Sequence, residues 1–211
     1  GATATGTPID TATNASDGSF SFDTIHYTLA DVGAKTYTVV EKTEGLGGVT
    51  YATNSYTVTV SISDKGDGTL IVTPSSNYNA LNFTNTYAAT GDVTFSGTKT
   101  LSGRTLAAGE FTFELYAGAT ATGTPIDTAT NASDGSFSFD KIFYDLDDVG
   151  LKTYTVVEKV GSLGGVTYAT NSYTVTVSIS DKGDGTLIVT PSSNYNALNF
   201  TNTYVASGSL D

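Results

Sequence analysis

Residues 172–180 read SYTVTVSIS, and the same segment occupies residues 55–63. Tyrosine, valine and isoleucine alternate here with threonine and serine, which is the pattern of a β-strand with one apolar and one polar face. Each copy continues through an Asp-Gly turn into an apolar run, GTLIVTP at residues 68–74 and 185–191, as in a β-hairpin. No stretch of the chain has a sustained helical period. The sequence therefore predicts an all-β protein of short antiparallel strands, arranged as a β-sandwich.

These two hairpins belong to a long internal repeat. Residues 1–87 recur as residues 118–204 with eight differences. The differing pairs are Thr24/Lys141, His26/Phe143, Thr28/Asp145, Ala30/Asp147, Ala34/Leu151, Thr43/Val160, Glu44/Gly161 and Gly45/Ser162. The period is longer than that of solenoid repeats and fits whole domains in tandem.

The second copy is preceded by a segment that has no counterpart before the first. This segment is GDVTFSGTKTLSGRTLAAGEFTFELYA, residues 91–117. We therefore predict an incomplete β-sandwich at residues 1–87, a short linker at 88–92 and a complete β-sandwich at 93–204. Residues 205–211 are expected to begin the link to a next repeat. We expect the incomplete domain to be a truncated part of a longer array, with completion by a neighbouring molecule as the alternative.

Composition excludes several classes of function. The formal net charge of -12 disfavours nucleic-acid binding, because an acidic surface repels phosphate. The chain has no cysteine and a single histidine, His26, so we expect no disulfide and no metal site or cofactor. No apolar run is long enough for membrane insertion. The absence of tryptophan argues against a carbohydrate-binding module.

Three polar residues lie on the apolar faces of predicted strands. They are Lys99 in VTFSGTKTL, Glu158 in KTYTVVEK and Asn202 in LNFTNTY. Burying an isolated charge costs several kcal/mol unless the charge is paired or neutralised. One interpretation is a structural ion pair of Lys99 and Glu158, with Asn202 as a hydrogen-bond partner. The other is a reaction, because an apolar site favours the neutral forms, and a neutral amine is a nucleophile that can attack an amide carbonyl.

The motifs GTKTLSGRTLAAGEFTFELY, YTVVEK, GGVTYATNSYTVTVSISDKGDG and FTNTY resemble the isopeptide-linkage domains of Gram-positive pilins. That family includes the streptococcal major pilins and the B-type repeats of collagen-binding surface adhesins. The resemblance implies tandem immunoglobulin-like β-sandwiches in which Lys99 and Asn202 form an isopeptide bond, assisted by Glu158. Glu41 and Asn85 are the equivalent residues of the first copy, where the matching lysine position would precede residue 1, so Asn85 is expected to be unpaired.

The resemblance also implies a function. We expect structural stalk repeats of a pilus or fibrillar adhesin at the bacterial cell surface, outside the cell. The self-crosslink is a single-turnover reaction, so the protein is not expected to be an enzyme. Its expected partners are neighbouring repeats of the same array and a preceding segment that completes residues 1–87. An adhesive module that binds a host ligand is the alternative.

Overall fold

The computed structural model describes residue 4 and residues 6–210. They form two compact units: unit 1 comprises the described residues up to Gly45 and Thr50–Thr86, and unit 2 comprises Leu46–Val49 and the residues from Tyr87 onward. Strands dominate both units, and the described part of the chain has no α-helix, which confirms the all-β fold class. Within those residues, no helix has the length and hydropathy of a membrane span.

Unit 1 is built around a three-stranded antiparallel sheet. The strands of this part of the chain are β1 (Gly33–Val40), β2 (Val49–Thr50), β3 (Ser55–Asp64), β4 (Leu70–Pro74) and β5 (Thr86–Tyr87), with a 3-10 turn at Leu29–Asp31. Strand β3 lies between β1 and β4, while β2 pairs with β5. The predicted hairpin joins β3 to β4. Alternation along β3 buries Val58, Val60 and Ile62, which form the core of this unit.

Unit 2 is a β-sandwich. Its strands are β6 (Gly91–Val93), β7 (Ser96–Ser102), β8 (Thr112–Ala117), β9 (Asp127–Thr130), β10 (Ser136–Ser138), β11 (Ile142–Tyr144), β12 (Gly150–Glu158), β13 (Val166–Thr167), β14 (Ser172–Asp181), β15 (Leu187–Pro191) and β16 (Leu198–Tyr204), with a 3-10 turn at Leu146–Asp148. One sheet has the order β10-β7-β16-β13, and the other has the order β15-β14-β12-β8-β9. Strands β6 and β11 pair separately.

The core of unit 2 lies between these two sheets and is rich in aromatic rings. Phe113 of β8 stacks on Phe137 of β10, with ring centroids 3.7 Å apart. Phe200 of β16 packs beside both rings. Aromatic pairs of this kind add to the free energy gained from burial, so they hold the two sheets together.

Strands β7 and β16 run parallel, whereas the other strand pairs of the unit are antiparallel. In this register Lys99 lies opposite Phe200, and Gly97 lies opposite Leu198. A Cβ at Gly97 would come within 2.0 Å of the Leu198 carbonyl oxygen, so glycine permits the close approach of the two strands. The first long strand of the sandwich is thereby hydrogen-bonded to the last.

The region predicted as a linker, residues 88–92, contributes to unit 2. Ala89 is buried in its hydrophobic core, and β6 begins at Gly91. Ala89 can enter the core because its side chain is small and apolar. The residues that follow it continue as strand β6. At the other end, residues 205–210 have no regular secondary structure, and residue 211 lies outside the described residues.

Candidate functional site

Lys99 projects from β7 into the core of unit 2. Its exposed fraction is 2%, while its neighbours Thr98 and Thr100 face solvent. The strand alternates because Phe95 and Lys99 share the face that packs on the opposite sheet. The inward direction predicted for the lysine is therefore confirmed.

The two other predicted residues also point inward. Asn202 lies in β16 with an exposed fraction of 1%, and Glu158 ends β12 with an exposed fraction of 5%. Strand β16 belongs to the same sheet as β7, whereas β12 belongs to the facing sheet. The glutamate is therefore presented across the sandwich to the lysine and the asparagine.

A single carboxylate oxygen joins the three side chains. Lys99 Nζ lies 2.7 Å from Glu158 Oε1, and Asn202 Nδ2 donates a hydrogen bond to the same oxygen over 2.8 Å. The side chains of Lys99 and Glu158 are both fully shielded from solvent. Within the described residues, Lys99 Nζ has no hydrogen-bond partner, and its contact with Glu158 Oε1 is an ion pair only.

A backbone donor completes the site. The Ala169 N–H donates to Asn202 Oδ1 over 2.6 Å and to Glu158 Oε2 over 3.2 Å. The amide carbonyl of Asn202 is therefore polarised by a fixed dipole, while its amide nitrogen is held against the carboxylate. This geometry orients the Asn202 side chain without ambiguity, because each end has its own partner.

The surroundings of the amine are apolar and aromatic. Lys99 Nζ lies 4.5 Å from the centroid of the Phe111 ring, and Tyr168 packs edge-on against that ring. Burial lowers the pKa of Lys99 below its ordinary value, and the negative charge of Glu158 opposes this shift. The site therefore favours a neutral, nucleophilic amine more than water does.

Sequence alternation does not identify several of the residues that support the site. The backbone of Phe111 is held by Asn131, a buried polar residue. Asn131 Oδ1 accepts a hydrogen bond from Phe111 N over 2.8 Å. Asn131 also donates to the carbonyl oxygens of Ala107 and Ala132. These residues lie in loops, where side chains follow no two-residue period. No sequence signal singles out Asn131, because nearly every residue of the repeat occurs in both copies.

Unit 1 repeats part of this arrangement. Asn85 Nδ2 donates to Glu41 Oε1 over 2.7 Å, and the Ala52 N–H donates to Asn85 Oδ1 and Glu41 Oε2 over 2.8 and 3.1 Å. Among the described residues, no basic side chain pairs with Glu41; the lysines of unit 1 pair elsewhere. The structure thus brings Glu41 and Asn85 together without a lysine.

Two further features outside this cluster are the single histidine and a pair of acidic loops. His26 lies on the surface. The acidic loops at residues 64–69 and 181–186 are hairpin turns, in which Asp67 and Asp184 pair with lysines two residues earlier. The described residues contain no cluster of three potential metal-binding side chains.

Residues 2–88 and 95–205 match the family described as FctA, Spy0128-like isopeptide containing domain. No curated protein matches the chain. The first matched segment covers the first copy of the repeat, and the second covers the second copy together with residues 95–117; the two span most of the sequence. The likeness inferred from the sequence motifs is thereby confirmed: the chain belongs to the FctA family of Spy0128-like isopeptide-containing domains.

Proposed function

We propose that this chain is a structural shaft segment of a bacterial cell-surface pilus or fibrillar adhesin, and that unit 2 cross-links itself between Lys99 and Asn202. Family membership supports a structural protein of the pilus or surface kind. The cross-link is supported mainly by one contact. Lys99 Nζ and Asn202 Nδ2 lie 2.7 and 2.8 Å from the same oxygen of Glu158.

The proposed reaction begins with transfer of a proton from Lys99 Nζ to Glu158 Oε1, which leaves a neutral amine and a carboxylic acid. The amine attacks the carbonyl carbon of Asn202. Glu158 returns its proton to Asn202 Nδ2, and the carbon–nitrogen bond to that atom breaks. The products are a Lys99–Asn202 amide and ammonia, and the carboxylate takes up the proton that the new amide nitrogen loses. Glu158 acts as a general acid and base.

The Ala169 N–H has a role in the same step. Attack on the amide places negative charge on Asn202 Oδ1, and this backbone donor already lies 2.6 Å from that oxygen. A preorganised donor at a developing oxyanion lowers the barrier, because it needs no reorganisation during the reaction. The reaction occurs once per molecule and needs no cofactor.

The position of the cross-link suits a mechanical role. Lys99 lies in β7 and Asn202 in β16, the first and last long strands of unit 2, and these strands are neighbours in one sheet. In a tandem array, tension enters a domain at one terminal strand and leaves at the other. An amide between the two strands transmits this tension without loading the strands between them.

Intact-mass measurement of matched variants tests the proposal. The parent chain is expected to weigh less than its sequence by one ammonia. Glu158→Gln is expected to retain the full mass or to lose ammonia about 10²–10⁴-fold more slowly, because general acid–base catalysis is removed. Glu41→Gln changes the equivalent residue of unit 1 and is expected to leave the mass loss unaffected. A parent chain with the full unmodified mass would contradict the cross-link and leave a structural ion pair.

A further inference from the structure

The backbone donor of the proposed reaction lies in a short connecting segment. Ala169 follows β13 and precedes β14, and residues 168–171 form no strand. The Ala169 N–H donates to the side chains of Asn202 and Glu158. Its position is therefore not set by the regular hydrogen bonds between neighbouring strands. Other contacts must hold this N–H against the Asn202 side chain.

Two side chains just beyond Ala169 bind the strand that carries the reacting asparagine. Asn171 Nδ2 and Tyr173 OH both donate to the backbone carbonyl oxygen of Asn199, over 3.1 and 2.8 Å. Asn199 lies in β16, the strand that also contains Asn202. These two hydrogen bonds form a clamp on Asn199. The clamp joins the segment that carries the oxyanion donor to the strand that carries the oxyanion.

The tyrosine of the clamp is itself fixed in place. Its ring packs edge-on against Phe200, with ring centroids 5.4 Å apart, and Phe200 is fully buried in the core. Edge-to-face packing is a favoured arrangement of aromatic rings, so this contact orients the Tyr173 ring. The hydroxyl group is thereby directed at the Asn199 carbonyl. Replacing Tyr173 with phenylalanine would remove this hydrogen bond and keep the ring contact.

The same clamp occurs in unit 1, where the equivalent segment forms no strand. Asn54 Nδ2 and Tyr56 OH donate to the carbonyl oxygen of Asn82 over 3.0 and 2.8 Å. The Ala52 N–H still donates to Asn85 Oδ1 over 2.8 Å. The clamp and the donor geometry therefore occur together in both copies, whether or not the segment is a strand.

We propose that Asn171 and Tyr173 are positioning residues for the cross-linking reaction. Their clamp on Asn199 holds the Ala169 N–H at the oxygen of Asn202 that becomes negative during the attack. This inference rests on the reaction proposed for unit 2. A donor lowers the barrier only if it already lies at the developing oxyanion. Because a displacement of about 1 Å can cost about 10²-fold in rate, loss of the clamp is expected to slow the cross-link by about 10–10²-fold.

The rate of amide formation in refolding full-length chain tests the proposal. The chain is produced as inclusion bodies, dissolved in urea and checked by intact mass to be unmodified, and dilution then starts folding. Circular dichroism follows folding, and intact mass follows the loss of ammonia. We expect the clamp variant Asn171→Ala/Tyr173→Phe to fold as completely as the parent chain and then to lose ammonia about 10–10²-fold more slowly. The matched control Asn54→Ala/Tyr56→Phe removes the same hydrogen bonds from unit 1 and is expected to keep the parent rate.

Hydrogen exchange of the control variant reports the geometry without the reaction. In Asn54→Ala/Tyr56→Phe, the Ala52 N–H is expected to exchange faster than in the parent chain, because the clamp no longer holds it at its acceptors. The amide of Val60, in the middle of β3, is expected to keep its protection. A purely structural role of the clamp would speed exchange at both amides.

The outcomes separate this inference from the function proposed for unit 2. A parent chain that folds and never loses ammonia contradicts the proposed reaction, and the positioning role fails with it. A clamp variant that loses ammonia at the parent rate overturns the positioning role alone and leaves the Lys99–Asn202 amide standing. Slow ammonia loss explained by a matching unfolded fraction also overturns it. So does exchange that is unchanged at Ala52, or equally faster at Ala52 and Val60.

Discussion

Lys99 and Glu158 neutralise each other where neither side chain touches solvent. Removing one partner from such a pair leaves an uncompensated buried charge. We therefore expect Lys99→Met to destabilise unit 2 by about 3–5 kcal/mol relative to the double variant Lys99→Met/Glu158→Met, in which both charges are removed. Neither variant can form the amide, so the comparison isolates the free-energy cost of burying Glu158 without its lysine partner. Urea unfolding followed by tyrosine fluorescence measures the difference, and equal stabilities would show that the glutamate tolerates burial alone.

Tyr144 and Tyr154 form a second buried polar contact, with hydroxyl oxygens 2.9 Å apart. Burial raises the pKa of Tyr144 above its ordinary value, and the hydrogen bond to Tyr154 adds to this shift. A phenol whose pKa is raised by folding stabilises fully below the unfolded pKa, and this contribution falls as pH rises from there through the folded pKa. We expect unit 2 to lose stability at alkaline pH.

The control for this prediction lies in unit 1. There the pKa of Tyr27 is raised from 10.0 to about 12, mainly by burial and also by the hydrogen bond to Tyr37. Tyr144→Phe is expected to reduce the loss of unfolding free energy that unit 2 shows at alkaline pH. Tyr27→Phe is expected to reduce the corresponding loss in unit 1 between pH 10.0 and about 12. Denaturant unfolding at neutral and alkaline pH measures both; an unchanged alkaline loss in unit 2 of the Tyr144→Phe variant would contradict the assignment.

The inward orientation of Lys99, Glu158 and Asn202 could be predicted from sequence because each occurs on a strand with a two-residue period. For Glu158 the period was less clear, since Val157 is also partly buried within the central strand β12. The Ala169 N–H could not be predicted, because a backbone donor has no sequence signature.

The alternation of side chains along β7 and β16 determines whether Lys99 and Asn202 face the core. Alternation places Lys99 inward and Thr100 outward, so the amine position depends on a single residue step. The exchange Lys99→Thr/Thr100→Lys keeps composition and charge but moves the amine to the solvent face. We expect this variant to keep the full mass of its sequence, as measured by intact-mass spectrometry. Loss of one ammonia from it would contradict the geometric argument.

The elements themselves were predictable to different degrees. The hairpin of β3 and β4 follows from the alternating segment and its Asp-Gly turn, and it is present in both copies. The parallel pairing of β7 with β16 could not be predicted by alternation, which specifies faces but not neighbours. Ala89 was expected in a linker, because one small apolar residue gives no periodic signal.

Each unit as a whole is expected to respond differently to tension. When the chain is pulled from its ends, unit 1 is expected to extend completely because, among the described residues, none of its lysines pairs with Glu41. In unit 2 the amide would shield the residues between Lys99 and Asn202, which would otherwise lengthen the chain by about 330–370 Å. Single-molecule force spectroscopy of the parent chain and of Asn202→Ala measures this difference. Equal extension in the two proteins would contradict a mechanical role for the cross-link.

The Lys99–Asn202 amide is tested most directly by tandem mass spectrometry of the digested parent chain. We expect one branched species in which the peptide containing Lys99 is joined to the peptide containing Asn202, with one ammonia missing. Glu41→Gln should leave this species in place, and Glu158→Gln should remove most of it. Recovery of the two peptides unjoined and at full mass would show that the Lys99–Asn202 amide does not form.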